Sequence, residues 1–322
     1  MKRIGILTSG GDAPGMNACI RAVVRTAMTY GIETLGIRRG YLGLINGDMN
    51  VLDRQSLTNI FPRGGTILET TRCPEFTTVE GRAEAIKLLK GTGIEGLVLL
   101  GGDGTFHGGT LLANECDVSI IGVPTTIDND VYGTDYTVGF DTAVNTAIEA
   151  IDRIRDTAMS HERLFFVEVM GHHTGFIALE SGIAGGAEEM IIPEVTASKD
   201  VLWARLQTSF DNGKKSAIVV VAEGDRPGHT FAIAQEAKDK LKIESRVCIL
   251  GHVQRGGSPT ARDRVLASNL GSAAIQALMD GKKGCMVGEV KREIVYTELA
   301  DTWGKKKELY PRLVELAGIL SA

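Results

Sequence analysis

A chain of 322 residues is longer than one hydrophobic core usually serves, so two α/β lobes are expected, with a single large domain as the alternative. Hydrophobic residues make up 43% and charged residues 23%, which is typical of a soluble globular protein and excludes a disordered or fibrous one. The net charge of -5 gives no basic surface for nucleic acid, although local arginines can still bind phosphate groups.

Short, continuously apolar runs alternate with segments of helical period along the chain. The apolar runs predict buried strands at residues 3–7, 96–100, 119–123, 164–169, 217–222 and 247–250. Continuous rather than alternating hydrophobicity favours parallel strands that are covered on both faces. The clearest helix is predicted at residues 141–160, with Asp141 as its N-cap. This order predicts an α/β fold with doubly wound, mostly parallel sheets.

The first candidate loop, residues 8–17, follows a predicted strand and opens a helix. Backbone N–H groups of such a loop can bind phosphate at the positive end of the helix. It is not a Walker A loop, because no Gly-Lys-Ser/Thr follows the glycines. Glycines also close ordinary turns between strands and helices, so a structural turn explains this loop equally well when it is taken alone.

The second loop, Gly101-Gly102-Asp103-Gly104-Thr105, also ends an apolar strand. Its glycines would let a triphosphate approach the backbone. Asp103 is then expected as a Mg²⁺ ligand, because this ion prefers one or two carboxylates together with phosphate oxygens and water. The alternative for Asp103 is a plain helix N-cap. Similar runs occur in diacylglycerol and NAD kinases, so the motif favours a phosphoryl donor.

The third run, residues 124–130, places Asp128 and Asp130 two positions apart beyond a predicted strand. If the segment is extended, both carboxylates face the same way, so one can accept a hydroxyl proton while the other helps to hold a metal ion. An isolated Asp-x-Asp pair is more often a solvated turn, but the acid-bearing strand end at Asp103 favours a site. All three acids are therefore expected to converge on one divalent cation.

Basic side chains that could bind an anionic ligand are spread along the chain and are Arg72, Arg163, Arg246, His252 and Arg255. Guanidinium groups match phosphate oxygens in bidentate fashion. Each arginine alone is more often a surface charge. Together with the glycine loops and the paired acids, they indicate the binding set of one anionic ligand.

Five cysteines are scattered along the chain and never spaced as Cys-x-x-Cys. This pattern argues against a disulfide framework or a zinc site and favours a reducing, cytoplasmic compartment. Near the start of the chain, Gly10 and Gly11 interrupt the apolar run before it could act as a signal segment. No later stretch is long enough to span a bilayer, so no membrane association is expected.

Taken together, these motifs resemble the bacterial 6-phosphofructokinase family over essentially the whole chain. The first loop, Gly-Gly-Asp-Gly-Thr, Thr-Ile-Asp-Asn-Asp, Met-Gly at 170–171 and Gly-His-Val-Gln-Arg-Gly-Gly-Ser-Pro at 251–259 follow the family's order. The resemblance implies two Rossmann-like lobes, residues 1–139 with 253–303 for the nucleotide and residues 140–252 with 304–322 for the sugar phosphate. It also implies phosphoryl transfer from ATP to the 1-hydroxyl of fructose 6-phosphate, a step of glycolysis, by a homotetramer built as a dimer of dimers.

The resemblance assigns individual site residues as well. Nucleotide contacts are implied at Gly11, Tyr41, Arg72, Cys73, Gly102, Asp103, Gly104, Thr105 and Gly108, with Mg²⁺ at Asp103. Asp128 is implied as the base toward the sugar hydroxyl, flanked by Thr126 and Asp130, with Arg72 on the transferred phosphoryl group. The sugar phosphate is implied to bind Met170, Gly171, His172, Glu223, Arg246, His252 and Arg255, with Arg163 reaching in from a neighbouring subunit.

Three positions bear on the donor and the acceptor. Gly104 favours ATP, because the pyrophosphate-using branch has an aspartate there that would crowd and repel a nucleotide. Thr125 matches neither the glycine usual in the ATP branch nor the lysine of the pyrophosphate branch. His172 replaces an arginine that contacts phosphates in the active site. An imidazole offers less charge at neutral pH and no fork, so weaker saturation by the sugar phosphate is expected.

An effector site for ADP or phosphoenolpyruvate is implied at a subunit interface by Arg21, Arg25, Arg54, Arg155, Gly186, Glu188, Lys214 and Lys215. Asn59, Asn212 and Ser216 replace family residues there, so altered or weak regulation is expected. Two alternatives to the ATP-dependent enzyme stay open: a pyrophosphate-dependent phosphofructokinase, and a sensor that binds nucleotide or sugar phosphate without turnover. The three acids argue against the sensor, because a sensor needs no base.

Overall fold

The computed structural model describes residues 1–161, 163–195, 199–224 and 228–321. The chain divides into two compact units, Met1–Thr142 with Arg255–Lys307 and Ala143–Gln254 with Glu308–Ala322. Each unit has its own sheet, with helices between successive strands. The predicted α/β class with mostly parallel sheets is therefore confirmed.

The strands and helices are numbered in chain order. The strands are β1 Arg3–Thr8, β2 Glu33–Ile37, β3 Met49–Val51, β4 Gly96–Gly101, β5 Ser119–Pro124, β6 Leu164–Val169, β7 Glu189–Ile191, β8 Ala217–Ala222, β9 Ser245–Ile249, β10 Cys285–Val290 and β11 Glu293–Glu298. The helices are α1 Met16–Thr29, α2 Gly40–Asn46, α3 Val79–Thr92, α4 Asp103–Glu115, α5 Phe140–His161, α6 Phe176–Ala184, α7 Lys199–Asp211, α8 His229–Leu241, α9 Ala261–Met279, α10 Leu299–Gly304 and α11 Pro311–Leu320. Two 3₁₀ turns span Pro74–Thr77 and Gly251–Arg255.

The six predicted strands correspond to β1, β4, β5, β6, β8 and β9, and their ends differ from the prediction by no more than two residues. The other strands, β2, β3, β7, β10 and β11, were not predicted. They are short or interrupted by polar residues, so they lack a continuous apolar run.

The sheet of the first unit has the strand order β11-β10-β5-β4-β1-β2-β3. Its inner pairs are parallel, whereas the edge strands β11 and β3 are antiparallel. After β1 the chain builds the sheet in one direction through β2, and it then returns to add β4 and β5 on the other side. The strand order therefore reverses between β1 and β4, which is where open parallel sheets bind their ligands.

The central strands of this sheet are apolar on both faces because helices cover both faces. Along β4, Val98 and Leu100 belong to one buried cluster, whereas Leu97 and Leu99 belong to the other. Every residue of β4 is buried. Packing on both sides explains why the sequence shows continuous rather than alternating hydrophobicity here.

The second unit has a four-stranded, fully parallel sheet in the order β7-β8-β6-β9. Strand β8 is buried throughout, whereas the edge strand β9 keeps exposed positions. The register pairs the last residue of β6, Val169, with the last residue of β8, Ala222, so these two strands end level. Across the described parts of both units, no helix has the length and apolar character of a membrane span.

The helix predicted at residues 141–160 is α5, but its cap differs from the prediction. Asp141 lies in the first turn instead of at the N-cap, and its carboxylate accepts a hydrogen bond from Thr260 Oγ1 at 2.6 Å. The capping acid comes from α9: Asp263 accepts from the backbone N–H groups of Gly139 at 2.9 Å and Thr142 at 2.8 Å. Burial raises the pKa of Asp263 to about 6, although these hydrogen bonds oppose the shift.

We expect Asp263→Ala to lower the free energy of unfolding by about 3 kcal/mol, because the buried donors of Gly139 and Thr142 lose their acceptor. Urea denaturation followed by circular dichroism measures the change. The control is Asp280→Ala, which removes an exposed acid at the other end of α9 and should change stability by less than about 0.5 kcal/mol. Equal losses in the two variants would contradict the capping role of Asp263.

Candidate active site

Three loops that follow β1, β4 and β5 lie side by side at the carboxyl edge of the first unit's sheet. Thr8 pairs with Leu100, and Gly101 pairs with Pro124, so the three strands end level. The backbone N–H of Ser9 donates to Leu100 O at 3.0 Å, and that of Thr125 donates to Gly101 O at 2.9 Å. The structure thus brings the three predicted motifs together.

The guanidinium group of Arg255 lies against Gly11 of the first loop. A Cβ atom at Gly11 would come within 2.0 Å of Arg255 Nη1. Among the described residues, the buried Nε of Arg255 has no hydrogen-bond partner. The structure therefore places Arg255, predicted to bind the sugar phosphate, directly on the predicted nucleotide loop.

The segment that carries Arg72 and Cys73 is attached to the same loop. Thr70 Oγ1 donates a hydrogen bond to Gly10 O at 2.7 Å. Arg72 itself is exposed, and Cys73 precedes the 3₁₀ turn at Pro74–Thr77. An exposed guanidinium two residues from this anchor can reach an anion on the first loop.

The second loop leads directly into α4. Gly102 occupies the N-cap position and supplies no side-chain cap, so Asp103 is the first helical residue and not the N-cap. The first N–H groups of a helix need an acceptor from elsewhere and favour an anion. A Cβ added at Gly104 would meet no atom within 4 Å, so open space lies beside this first turn.

Tyr41 supports α4 from its buried side. Its hydroxyl donates to Thr105 O at 2.6 Å, and its ring stacks on Phe76 with centroids 3.8 Å apart. A Cβ at Gly108 would come within 2.9 Å of this ring. Because Tyr41 is only 5% exposed, its role in this structure is to hold α4 in place.

Like charges meet at the start of α4. The pKa of the Asp103 carboxyl is raised to about 7, first because the surrounding loops remove water and second because Asp130 carries a negative charge nearby. A cation would relieve this repulsion. In the described residues, however, no group of three acidic, histidine or cysteine side chains is arranged to hold a metal ion. The expected convergence of Asp103, Asp128 and Asp130 on one ion is therefore not found, and a cation here would need oxygens from phosphate and water.

The third run is a turn and not an extended segment, because Asn129 has a left-handed φ of 57°. The extended conformation considered for this run is therefore wrong. Burial still alternates along it: Thr126, Asp128 and Asp130 are half-buried, whereas Ile127 and Asn129 are buried. Thr126 Oγ1 donates to Asp128 Oδ2 at 3.4 Å. Thr126 and Asp128 are thus in contact, and Asp130 is partly open to solvent as they are.

In the second unit, predicted sugar-phosphate residues gather at the carboxyl ends of β6 and β8. The backbone N–H of His172 donates to Glu223 Oε1 at 2.9 Å, and that of Met170 donates to Gln254 Oε1 at 2.8 Å. Gly171, with φ of 145°, leaves no room for a side chain, because a Cβ would lie 2.6 Å from Thr174 O. The exposed His172 ring lies 3.7 Å from the ring of His173.

Two predicted sugar-phosphate residues are not brought to this edge. Arg163 precedes the first residue of β6, and Arg246 pairs with Phe165 near the same end of the strand. Along the strand, they are separated from Met170 by about 17 Å for Arg246 and about 23 Å for Arg163. Arg246, which also forms an ion pair with Glu244 at 3.0 Å, was predicted to act within the same chain. Its position instead matches that of Arg163, so both lie at the end of β6 opposite to Met170.

The predicted effector residues form two groups, one in each unit. In the first unit, Arg21, Arg25 and Arg54 line one cavity of about 360 Å³. In the second unit, the buried Glu188 lies 2.9 Å from Lys214 Nζ and 3.5 Å from Arg155 Nη1.

The cations of this second group also contact a backbone carbonyl and line a cavity. Arg155 also donates to the carbonyl of Gly186 at 2.6 Å, and Lys214 and Lys215 line a further cavity of about 430 Å³. Glu188 therefore partly neutralises the cations that an anionic effector would use.

Two functional residues were missed although they lie inside the quoted motifs. Asn129 and Gln254 are 1% and 0% exposed, and both hold loop backbone through side-chain hydrogen bonds. In the sequence, the signal for both residues is a polar amide between charged or apolar neighbours. Sequence alone does not say whether such an amide faces a ligand or the protein interior.

Comparisons with known proteins agree with this geometry. A family model described as phosphofructokinase matches residues 3–278. The chain is 57% identical over 321 residues to ATP-dependent 6-phosphofructokinase 1 of Thermus thermophilus, covering all of both chains. It is 53% identical over 321 residues to the ATP-dependent 6-phosphofructokinase of Bacillus pumilus, again covering all of both.

Solved structures show the same likeness. The phosphofructokinase of Saccharomyces cerevisiae matches with a TM-score of 0.89 at 33% identity, covering all of this chain and 48% of the yeast chain. This chain therefore spans about half the length of that relative. A pyrophosphate-dependent phosphofructokinase from Marinobacter aquaeolei matches with a TM-score of 0.86 at 22% identity, covering all of this chain and 92% of that one, which is a likeness of fold alone.

Motif order, the edge at which β1, β4 and β5 end, and full-length identity thus lead to one conclusion: the chain belongs to the phosphofructokinase family.

Proposed function

We propose that this protein transfers the terminal phosphoryl group of ATP to the 1-hydroxyl of fructose 6-phosphate, giving fructose 1,6-bisphosphate and ADP in glycolysis. The observation that carries the proposal is the meeting of the glycine loop, the uncapped start of α4 and the Asp128 turn at one sheet edge. The names of the full-length relatives support ATP as the donor.

Phosphoryl transfer requires mainly that a protein position the reactants and neutralise charge on the equatorial oxygens. Positioning alone can contribute about 7 to 11 kcal/mol to lowering the barrier. The open N–H groups at the start of α4 would bind phosphate, and Arg72 would neutralise the transferred group. Asp128 would accept the hydroxyl proton, with Thr126 hydrogen-bonded to it and Asp130 two positions along the chain.

Two positions bear on the choice of donor. The open space beside Gly104 leaves room for a nucleotide's phosphates. Thr125 is fully buried and holds β4 through its backbone, so its side chain offers no charged group of the kind that the pyrophosphate branch has there. Both observations favour ATP over pyrophosphate.

Mg²⁺ is the cofactor that this chemistry needs, and Asp103 is the residue that would hold it. The repulsion between Asp103 and Asp130 supports this assignment, because a cation bound at Asp103 would offset both charges. The bound ion would supply charge neutralisation for the nucleotide's phosphates. Asp103 would hold the ion with its carboxylate from the first turn of α4.

The proposal extends to sugar-phosphate binding and to assembly. In the second unit, Met170, Gly171, His172, Glu223 and His252 would contact the sugar phosphate. Arg163 and Arg246 would act from a neighbouring subunit, because both lie at the opposite end of β6. A homotetramer arranged as a dimer of dimers meets this need for a second copy.

We also propose how the enzyme is regulated and where in the cell it acts. An anionic effector such as ADP or phosphoenolpyruvate would bind the arginines of the 360 Å³ cavity in the first unit. We expect a weak response, because Glu188 already pairs with Arg155 and Lys214. A cytoplasmic location fits both the substrates and the five free cysteines.

The test of the function is product formation from fructose 6-phosphate with Mg²⁺ and either ATP or pyrophosphate. We expect turnover with ATP alone. Asp128→Asn should lower kcat by about 10²- to 10⁴-fold, the usual range for a general base, while nucleotide binding is retained. Asp117→Asn, at an exposed acid beyond α4, is the matched control and should behave as wild type. Turnover with pyrophosphate, or an Asp128→Asn variant with wild-type kcat, would refute the proposal.

Binding of Mg²⁺ with nucleotide should weaken as the pH falls through 7. The pKa of Asp103 is raised from 3.8 to about 7, so lowering the pH protonates the carboxylate that a cation needs. We expect the affinity for Mg²⁺ with ADP to fall about tenfold per pH unit below 7, as measured by calorimetry between pH 6 and 8.

Asp103→Asn is the control, because it keeps the nucleotide's own protonation but removes that of the side chain. The Asp103→Asn protein should bind Mg²⁺ with ADP more weakly than the wild type, and its affinity should depend less on pH. Identical pH dependence in the two proteins would contradict this role of Asp103.

His172→Arg should tighten saturation by fructose 6-phosphate. A guanidinium adds a permanent charge and a fork, so we expect the KM for the sugar phosphate to fall about three- to tenfold with little change in kcat. The exposed position of His172 should tolerate the longer side chain. His161→Arg, at the exposed end of α5, is the control. An unchanged KM in His172→Arg would mean that residue 172 does not contact the sugar phosphate.

A further inference from the structure

The turn that carries Asp128 is held by one buried amide. The Oδ1 atom of Asn129 accepts from the backbone N–H of Thr137 at 2.9 Å, and its Nδ2 atom donates to Asp135 O at 3.3 Å. Thr137 Oγ1 in turn donates to Thr126 O at 2.6 Å. Thr126 and Asn129, which flank Asp128 in the sequence, are thus attached to one network of hydrogen bonds.

A lysine from a distant part of the sequence joins this network. Lys307 Nζ donates to Asn129 Oδ1 at 2.8 Å and to Asp135 O at 2.9 Å. The lysine side chain is half-buried and lies 178 positions after Asn129. Hydrogen bonds from a charged donor are stronger than those between neutral groups. The ammonium group therefore joins both ends of the segment 129–135.

The side chain of Asn129 is bonded on both sides of this turn. Asn129 has φ of 57°, a left-handed conformation that asparagine adopts more readily than most residues with a side chain. The side-chain oxygen of Asn129, Oδ1, accepts hydrogen bonds from both the Thr137 N–H and the Lys307 ammonium, so two donors hold the orientation of this amide. Removing the ammonium would leave the turn, and with it Asp128, less well positioned.

The two neighbouring lysines do not make this contact. Lys305 pairs with Asp301 at 2.8 Å, and Lys306 is exposed. Lys306 therefore offers a matched control with the same charge, one residue away.

We propose that Lys307 is a positioning residue for phosphoryl transfer, acting through Asn129 to set the Asp128 carboxylate in its working geometry. This inference rests on the proposed function, since it assumes that Asp128 is the base. Lys307 donates to Asn129 and Asp135 and is not among the residues assigned to either substrate, so its loss should lower kcat and leave the binding of both substrates unchanged. A side chain that merely stabilised the fold would not separate kcat from KM in this way.

The experiment compares Lys307→Met, Lys307→Arg and Lys306→Met by steady-state kinetics with ATP and fructose 6-phosphate. Wild-type turnover is measured first; its absence would refute the proposed function and can be distinguished from any effect of residue 307. We expect Lys307→Met to lower kcat about ten- to a hundredfold with both KM values within about twofold, the pattern of a misplaced catalytic group. Lys307→Arg keeps a charged donor and should recover most of the loss, and Lys306→Met should equal wild type.

A double variant adds a check on the route. Asn129→Ala combined with Lys307→Met should lose no more kcat than Asn129→Ala alone, because both changes break the same network. Fully additive losses would overturn the proposal. So would a Lys307→Met enzyme with kcat within about twofold of wild type, or one in which both KM values rise as kcat falls.

Folding of each variant is verified by its retained ADP binding. If Lys307→Met fails this check, Lys307→Gln replaces it, because it keeps a polar side chain at this half-buried position but removes the charge. A Lys307→Gln enzyme should then lose kcat severalfold at unchanged KM, and wild-type kcat in that enzyme would overturn the proposal.

Discussion

The reversal of strand order between β1 and β4 is the constraint on which the candidate active site depends. Loops that leave neighbouring strands on opposite routes cannot cover the edge between them, so that edge stays open to a ligand. The level ends of β1, β4 and β5 then bring a glycine loop, a helix start and an acidic turn to the same place. Chemistry that is scattered over more than a hundred positions in the sequence becomes local because of strand pairing.

The like charges and the uncapped N–H groups at this edge favour a charged ligand. Asp103 and Asp130 repel each other, as the raised pKa of Asp103 indicates, and the first N–H groups of α4 have no side-chain cap. Arg255 lies on Gly11 with a buried Nε that has no partner among the described residues. A phosphate chain with a divalent cation would offset each of these features, because it carries both signs of charge.

In each unit, side chains from distant parts of the sequence hold the loops that carry the candidate site residues. Asp263 of α9 accepts the N–H groups at the start of α5, and Gln254 holds the backbone of Met170. Lys307 holds Asn129 in the same manner. Each is a polar or charged side chain in a buried or half-buried place, where its hydrogen bonds are stronger than they would be in water.

The sequence by itself determined the class of fold, the order of the motifs and the kinship with phosphofructokinases, because apolar runs and glycine–acid motifs are local patterns. The prediction that Arg163 acts from a neighbouring subunit stays a prediction. The tertiary structure alone decided that Asp128 lies on a bent turn and that Asp263 replaces Asp141 as the cap of α5. It also decided that Arg246, on β9, lies beside the start of β6 and far from Met170. Lys307 stands in a run of three lysines, and nothing in that run distinguishes it. These outcomes depend on contacts between residues far apart in the chain, and such contacts are set by the packing of the sheet and its helices.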